Sequence, residues 1–183
     1  MPRKATPDEI LSFWYEESTP KQWFMKDDAF DAAIATRFKD TVEAALAGQL
    51  DRWVDNAEGC LALILVLDQF TRNIFRNSPR AFSGDEMASA LSLRCVERGY
   101  IEHDTEEYRT FMLMPMMHSE SIEIQDRSLP LFKKWTPEQV YEYAVKHRDI
   151  VARFGHFPHR NSILGRPSTP EEVEFLKEPG SSF

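Results

Sequence analysis

The chain has 183 residues, of which 42% are hydrophobic and 28% charged, a composition typical of one soluble globular domain with a sizeable core. Its formal net charge is −8, so it lacks the broad basic face that non-specific binding of nucleic acid or anionic membranes needs. No apolar run approaches the roughly 18 residues of a membrane helix, and the N-terminus contains no apolar signal segment. We therefore expect a cytoplasmic protein with no nucleic-acid or membrane partner.

Helix start signals recur along the chain, and no segment alternates apolar and polar residues as a half-buried strand would. Thr6, Pro7 and Glu9 have the pattern of a capping box with proline at the first helical position. The pattern recurs at residues 136–139 and 169–172, and boxes without proline stand at 83–86 and 104–107. This regularity predicts an all-α fold.

The predicted helices cover about residues 7–17, 28–47, 57–76, 84–98, 119–134, 137–154 and 170–177. A further helix begins at about Thr105, and Pro115 must kink or end it because proline has no amide donor and clashes with the preceding turn. Residues 18–26 and 156–167 are predicted loops, and we expect the tail, 178–183, to be disordered. Cys60 and Cys95 lie within apolar patterns, so we expect reduced, buried thiols.

The predicted helix at about 57–76 is the centre of the fold. It begins with an apolar run, residues 60–67, and then carries polar side chains that fall within about 140° of one another at 100° per residue. A buried strand is the alternative for the apolar run, but there are no partner strands and the polar residues keep helical spacing. These polar residues are Asp68, Gln69, Arg72, Asn73 and Arg76, and Arg80 follows shortly after the helix.

Three interpretations of this polar stripe stay open. An exposed face with pairs such as Asp68–Arg72 would add only about a few tenths of a kcal/mol for each pair. A buried structural network would tie neighbouring helices together. A ligand pocket would use the arginines to bind carboxylate or phosphate. Glutamine and asparagine beside arginine, on a face without glutamate or lysine, favour an interior position.

Two further segments carry the other candidate site residues. In MLMPMMHSE, residues 112–120, His118 and Glu120 follow a methionine-rich apolar stretch and are a candidate acid–base pair. In RFGHFPHRN, residues 153–161, Pro158 stiffens a loop that holds His159. The spacing of the histidines in these two segments does not match a known metal-ligand motif, and the neighbouring arginines would repel a cation. We therefore predict no metal and no cofactor. No nucleophile elbow, phosphate-binding loop or dinucleotide-binding motif is present.

Three blocks, LDQFTRNIFRNSPRAF, MPMMHSE and RFGHFPHRNSILGR, resemble the signature of bacterial domain-of-unknown-function family 924. The resemblance extends over nearly the whole chain. It implies an all-α fold of packed helix pairs, similar to tetratricopeptide-repeat superhelices, and it implies no particular activity. The sequence itself has no regular repeat of roughly 34 residues.

We therefore expect a single domain over residues 1–183, with seven or eight helices in antiparallel pairs around the central helix. The three polar segments should converge on a pocket for a small anion, either in an enzyme or in a helical-repeat-like module that binds an acidic peptide or a terminal carboxylate. A purely structural polar network is the third possibility. The candidate catalytic residues are His118, Glu120 and His159. The candidate ligand-binding residues are Asp68, Gln69, Arg72, Asn73, Arg76, Arg80, Arg153, Arg160, Asn161 and Arg166.

Overall fold

Helices alone build the part of the chain that the computed structural model describes, residues 3–183, and no β-strand lies within it. The predicted all-α fold class is therefore confirmed. The helices are α1 Pro7–Ser12, α2 Pro20–Phe24, α3 Asp28–Leu46, α4 Ala57–Ile64, α5 Thr71–Ile74, α6 Asp85–Glu97, α7 Glu106–Met117, α8 Ile122–Trp135, α9 Glu138–Phe154, α10 Asn161–Leu164 and α11 Pro170–Phe175. None of them is long and apolar enough to cross a membrane.

Two of the predicted capping boxes form. Thr6 and Glu9 cap α1, and Thr169 and Glu172 cap α11. The other three predictions were wrong, because α6 and α7 begin without a side-chain cap and Thr136 closes the end of α8 by donating its hydroxyl to a backbone carbonyl. Each predicted capping box therefore lies close to a helix end. The predicted side-chain hydrogen bonds to the free backbone groups form at only two of these ends.

The predicted central helix is one continuous helical path made of three parts. A π-helical segment, Leu65–Phe70, joins α4 to α5, and every residue from 59 to 71 is buried. The helix ends at Ile74, slightly before the expected end. Because a π-helix bonds residue i to i+5, its wider turn changes the angular positions that a uniform α-helix predicts for the polar stripe. Asp68 and Gln69 lie inside this segment.

Pro115 was expected either to kink or to end α7, and it does not end the helix. Pro115 lies inside the helix, which continues to Met117. The backbone N–H of His118 then donates to the carbonyls of Met114 and Met116 and closes the last turn. The consequence is that His118 directly follows a fully buried helical turn.

The two predicted loops both contain helical structure. Residues 18–26 include α2, and residues 156–167 include a short 3-10 turn, Pro158–Arg160, followed by α10. Within the tail, Ser181 is 5% exposed and its hydroxyl donates to the carbonyl of Leu176. The sequence rules missed these elements because each is too short to show a hydrophobic period.

The central helical path packs against several neighbours. α4 contacts α1, α6 and α7, while α3 contacts the π-helical segment and α5. Consecutive helices α6 and α7, α7 and α8, and α8 and α9 also pack against each other. This arrangement agrees with packed neighbouring helices, and the tetratricopeptide-repeat-like superhelix stays a prediction.

One glycine sets the distance between α6 and the π-helical segment. A Cβ placed on Gly84 would lie 2.2 Å from the carbonyl oxygen of Leu67. The absence of a side chain therefore lets the start of α6 approach the central helix closely. Asp85, the next residue, is brought to the polar stripe by this contact.

Both cysteines are free and fully buried, as the sequence predicts. The Sγ atoms of Cys60 and Cys95 are 3.4 Å apart, between α4 and α6.

Candidate functional site

The buried carboxylate of Asp68 is hydrogen-bonded to the imidazole of His118. The Asp68 side chain is 1% exposed, and its Oδ1 lies 2.7 Å from Nδ1 of His118. A carboxylate only accepts, so Nδ1 carries the proton and the neutral ring has its lone pair on Nε2. Nε2 makes no hydrogen bond within residues 3–183, and the His118 side chain is 17% exposed. The pair thus presents a basic nitrogen toward the surface.

Asp68 stays ionised although it is buried. Burial raises the pKa of its carboxyl, but His118 in its protonated form, the charge of Arg72 and the hydrogen bonds from both His118 and Gln69 lower the pKa by more, so that it lies well below its usual range. Gln69 supports the charge by donating from Nε2 to Oδ2 of Asp68 at 2.6 Å. The His118 imidazole therefore faces a permanent negative charge.

Arg72 connects Asp68 to α6. Its guanidinium lies 3.3 Å from Oδ1 of Asp68 and also donates to the Asp68 backbone carbonyl at 2.6 Å. It binds Asp85 with two hydrogen bonds, of 2.8 and 2.9 Å. The expected Asp68–Arg72 pair is present, and it lies inside the protein rather than on an exposed face.

Arg160 comes from the third polar segment and reaches the same group of residues. It donates to the carbonyl of His118 at 2.9 Å and lies 3.4 Å from Asp85. Its guanidinium packs over the rings of Phe82 and Phe157, at 4.5 and 4.7 Å from the ring centroids. We call Asp68, Gln69, Arg72, Asp85, His118 and Arg160 the central network.

Arg160 is a strongly desolvated cation with one unused donor. The residue is 6% exposed, and its buried Nε has no hydrogen-bond partner within the described chain. Burial and the positive charge of Arg72 lower its pKa to about 10. A guanidinium in this state gains more from an added anion than a solvated one does.

Glu120 does not pair with His118, contrary to the expected acid–base pair. Its carboxylate instead receives two hydrogen bonds from Arg166, both of 2.9 Å, and one from the backbone N–H of Phe157. Arg166 also donates from Nε to Asn161. The pKa of Glu120 is lowered because these hydrogen bonds outweigh its partial burial. Glu120, Arg166 and Asn161 thus form a second polar cluster, and its hydrogen bonds connect Glu120 to the 156–167 segment.

The remaining stripe residues connect the central path to α3. Asn73 and Arg76 both bind Asp31, at 2.7 to 2.9 Å. Arg80 forms an exposed pair with Glu43. Arg153 lies on the surface with Glu171, apart from the network. All six of the predicted anion-binding arginines therefore already have a carboxylate partner within the protein, and Arg72 and Arg160 share Asp85. They are Arg72, Arg76, Arg80, Arg153, Arg160 and Arg166.

A group of aromatic rings borders the network. The His147 ring centroid lies 6.3 Å from that of His118, and Phe183 stacks on His147 at 3.7 Å. Burial lowers the pKa of His147 to about 3, and burial together with the charge of Arg160 lowers that of His159 to about 4. Both rings are therefore neutral at neutral pH. His159, a predicted catalytic residue, is a largely buried imidazole without a charge.

Sequence reasoning missed Asp85 and the role of His147. Asp85 looks like an ordinary acidic residue in the first turn of a helix, and His147 fits the buried face of α9. A signal for Asp85 does exist, because a buried arginine stripe requires compensating carboxylates. Which carboxylates supply the charge depends on how the helices pack.

No three histidine, cysteine or acidic side chains among the described residues are arranged to hold a metal ion. Two open depressions of the surface lie between the N-terminal segment and α3, and neither is lined by Asp68, His118 or Arg160.

The helices that supply this network are those of a known family. Residues 10–180 match the family described as bacterial protein of unknown function, DUF924. The chain belongs to this family. The match covers all residues of the central network and confirms the resemblance seen in the three sequence blocks.

A solved structure supports the DUF924 assignment. The structure of a protein of unknown function from Agrobacterium tumefaciens is similar to this chain, with a TM-score of 0.88 and 40% sequence identity. The similarity covers 93% of this chain and 96% of that one. A comparison with curated proteins gave no match. The function of this DUF924 chain therefore has to be argued from its own residues.

Proposed function

We propose that the protein is an enzyme in which His118 transfers a proton to or from a small anionic substrate. Asp68 holds the imidazole with Nε2 outward, and Arg160 receives the anionic group. The observation that supports this proposal is the 2.7 Å contact between a buried carboxylate and Nδ1 of a histidine whose Nε2 has no partner among the described residues. A carboxylate that orients a histidine and stabilises its protonated form is a recurrent arrangement in general acid–base catalysis.

The charge of the central network favours an anionic substrate. Asp68 and Asp85 supply two negative charges, and Arg72 and Arg160 supply two positive ones. The network is balanced when His118 is neutral and gains one positive charge when His118 accepts a proton. A negative group near Nε2 or Arg160 would therefore be stabilised most in the protonated state, which is the state formed during proton abstraction.

A structural role is the second candidate, and one observation favours it for part of the network. Arg72 ties the central path to α6, and Arg76 ties it to α3, each through a carboxylate. These contacts need no ligand. The proposed chemistry is therefore assigned to His118, Asp68 and Arg160, and the other arginines are assigned to holding the helices together.

Activity against a panel of small carboxylate esters, phosphate monoesters and carboxylic acids tests the proposal. An activity of the wild-type protein should fall by about 10² to 10⁴-fold in His118→Gln, as expected for loss of a general acid or base. His103→Gln is a matched control, since His103 lies in another part of the fold beside Tyr108. Equal activity of wild type and His118→Gln would contradict the proposal.

Binding is tested separately by thermal unfolding with the same anions. A bound anion raises the Tm, because it stabilises only the folded state. The rise should be lost in Arg160→Gln and kept in Arg153→Gln, whose arginine lies on the surface. A panel without any Tm shift in the wild-type protein would count against anion binding and would leave the structural role as the explanation.

A further inference from the structure

The ring of Phe183 fills a slot walled by aromatic side chains. It stacks on His147, with centroids 3.7 Å apart and planes 24° apart, and it meets His159 edge-on at 6.1 Å. Phe157 packs beside both imidazoles, with its ring centroid 5.7 Å from that of His147 and 5.7 Å from that of His159. We call the space that Phe183 occupies against His147 and His159 the aromatic slot.

The segment that delivers Phe183 is attached lightly. From residue 177 to 183 every residue is exposed except Ser181, which makes a single side-chain hydrogen bond to the carbonyl of Leu176. Phe183 itself is 50% exposed although its ring stacks on a buried imidazole. Few contacts therefore oppose movement of this ring out of the slot.

The slot lies next to the central network. His147 is the ring nearest to His118 in this group, at 6.3 Å between centroids. Phe157, which packs against both imidazoles of the slot, carries the guanidinium of Arg160 over its face at 4.7 Å. A ligand whose ring occupied the slot would thus lie close to a proton-transfer group and a desolvated cation.

We propose that the aromatic slot binds the ring of a small aryl carboxylate, and that Phe183 occupies the slot as an internal cap until such a ligand displaces it. This inference deepens the proposed function by naming its substrate class, and it rests on that function for its catalytic consequence. The geometry selects a flat ring, because stacking on one imidazole and edge contact with a second require an aromatic partner. Because both imidazoles are neutral, the carboxylate of the ligand would pair with Arg160 rather than with the slot itself.

The test compares benzoate with cyclohexanecarboxylate, which has the same charge and a similar size but no aromatic face. Each is titrated into the wild-type protein and into Phe183→Ala, and the ring resonances of His147 and His159 are followed by NMR. Circular dichroism establishes that the variant is folded, and Phe183→Leu provides a second variant that keeps apolar volume in the slot.

We expect Phe183→Ala to bind benzoate at least tenfold more tightly than the wild type does, since no internal ring has to leave. It should also bind benzoate at least tenfold more tightly than cyclohexanecarboxylate. Phe183→Leu should bind benzoate more weakly than Phe183→Ala. Equal affinity of wild type and Phe183→Ala, equal affinity for the two acids, or unchanged His147 and His159 resonances would each overturn the proposal.

The double variant His118→Gln, Phe183→Ala separates this inference from the proposed function. Benzoate binding that persists in the double variant supports the slot whatever the catalytic screen shows. Benzoate binding that disappears with His118 would overturn the slot as the site of ring binding, because His118 is not one of its walls.

Discussion

Asp68 and His118 are joined by a 2.7 Å hydrogen bond although 50 positions separate them in the chain. Two local features bring them together. The π-helical segment carries Asp68 into the interior, and α7 continues past Pro115 so that His118 follows its last buried turn. The pair is thus built by one helix with a π-helical segment and one that contains an internal proline, and π-helical turns are frequent at functional sites.

The tautomer of His118 should depend on Asp68. In the wild type, the carboxylate accepts from Nδ1–H, so the proton of the neutral ring should reside on Nδ1. Asp68→Asn should weaken this preference, because the amide removes the charge and can donate to Nδ1 instead. Long-range ¹⁵N–¹H NMR correlations of the imidazole measure the change. His147, whose Nδ1 contacts the Tyr143 carbonyl, should keep its tautomer in both proteins. An unchanged His118 pattern would contradict the role of Asp68.

Arg72 should be important for stability. Its side chain is 22% exposed and pairs with two carboxylates, one of which is buried. Arg72→Ala should lower the free energy of unfolding by roughly 3–5 kcal/mol, because it leaves Asp68 with an uncompensated charge in the interior. Urea denaturation measures the loss. Arg148→Ala, which removes an arginine from an exposed pair with Asp126, should change the midpoint far less. A loss below about 1 kcal/mol for Arg72→Ala would indicate a solvated pair.

The fold class was predictable because helix signals are local. The spacing of apolar residues identified α3, α6 and α9 with bounds within one or two residues of those observed. The shorter helices α2 and α10 were missed because about four or five residues cannot show a period. The π-helical segment was missed because its residues are as apolar as those of an α-helix.

Three members of the candidate site could be identified from the sequence, whereas Asp85 and most of the side-chain pairings could not. The sequence singled out Asp68, His118 and Arg160, and the structure places them together. The sequence suggested that Glu120 pairs with His118, whereas in the structure Glu120 pairs with Arg166. Sequence proximity suggested that pairing, and the turn between α7 and α8 points the two side chains to different partners. Contacts across helices depend on packing, which periodicity does not report.

Stability should fall in mild acid because two histidines are neutral in the folded protein. The pKa of His147 is lowered to about 3 and that of His159 to about 4, mainly by burial, whereas unfolding returns each toward 6.5. The unfolded chain therefore binds more protons below pH 6.5. The contribution is fully present above pH 6.5 and is lost as the pH falls toward the folded-state values, by at most about 1.4 kcal/mol per pH unit for each histidine.

Urea unfolding between pH 7 and pH 4.5 measures this slope. In His147→Gln the slope should be smaller, because one of the two titrating groups is gone while the amide can still donate to the Tyr143 carbonyl. His103→Gln is the control for removal of a histidine, since this partly buried ring lies in another part of the fold. An identical slope for wild type and His147→Gln would show that His147 does not stay neutral in the folded state.

Gly84 should be required for the close approach that brings Asp85 to Arg72. Its φ is −95°, which alanine adopts without strain, so any cost of Gly84→Ala must come from the new methyl group. That Cβ would lie 2.2 Å from the carbonyl oxygen of Leu67 and 3.0 Å from its carbon, both of them backbone atoms in the central path. The start of α6 must therefore move away. We expect a loss of about 1–3 kcal/mol or more in the free energy of unfolding.

The same movement should weaken the Arg72–Asp85 pair, which a double-mutant cycle can detect. If Gly84→Ala displaces Asp85, then adding Asp85→Asn to it should cost less than Asp85→Asn costs in the wild type. Glu86→Ala is the control on the same helical turn, because Glu86 is exposed and its change should be additive with Asp85→Asn. A Gly84→Ala protein as stable as the wild type would show that α6 does not depend on this contact. Strict additivity with Asp85→Asn would show that the glycine does not position the carboxylate.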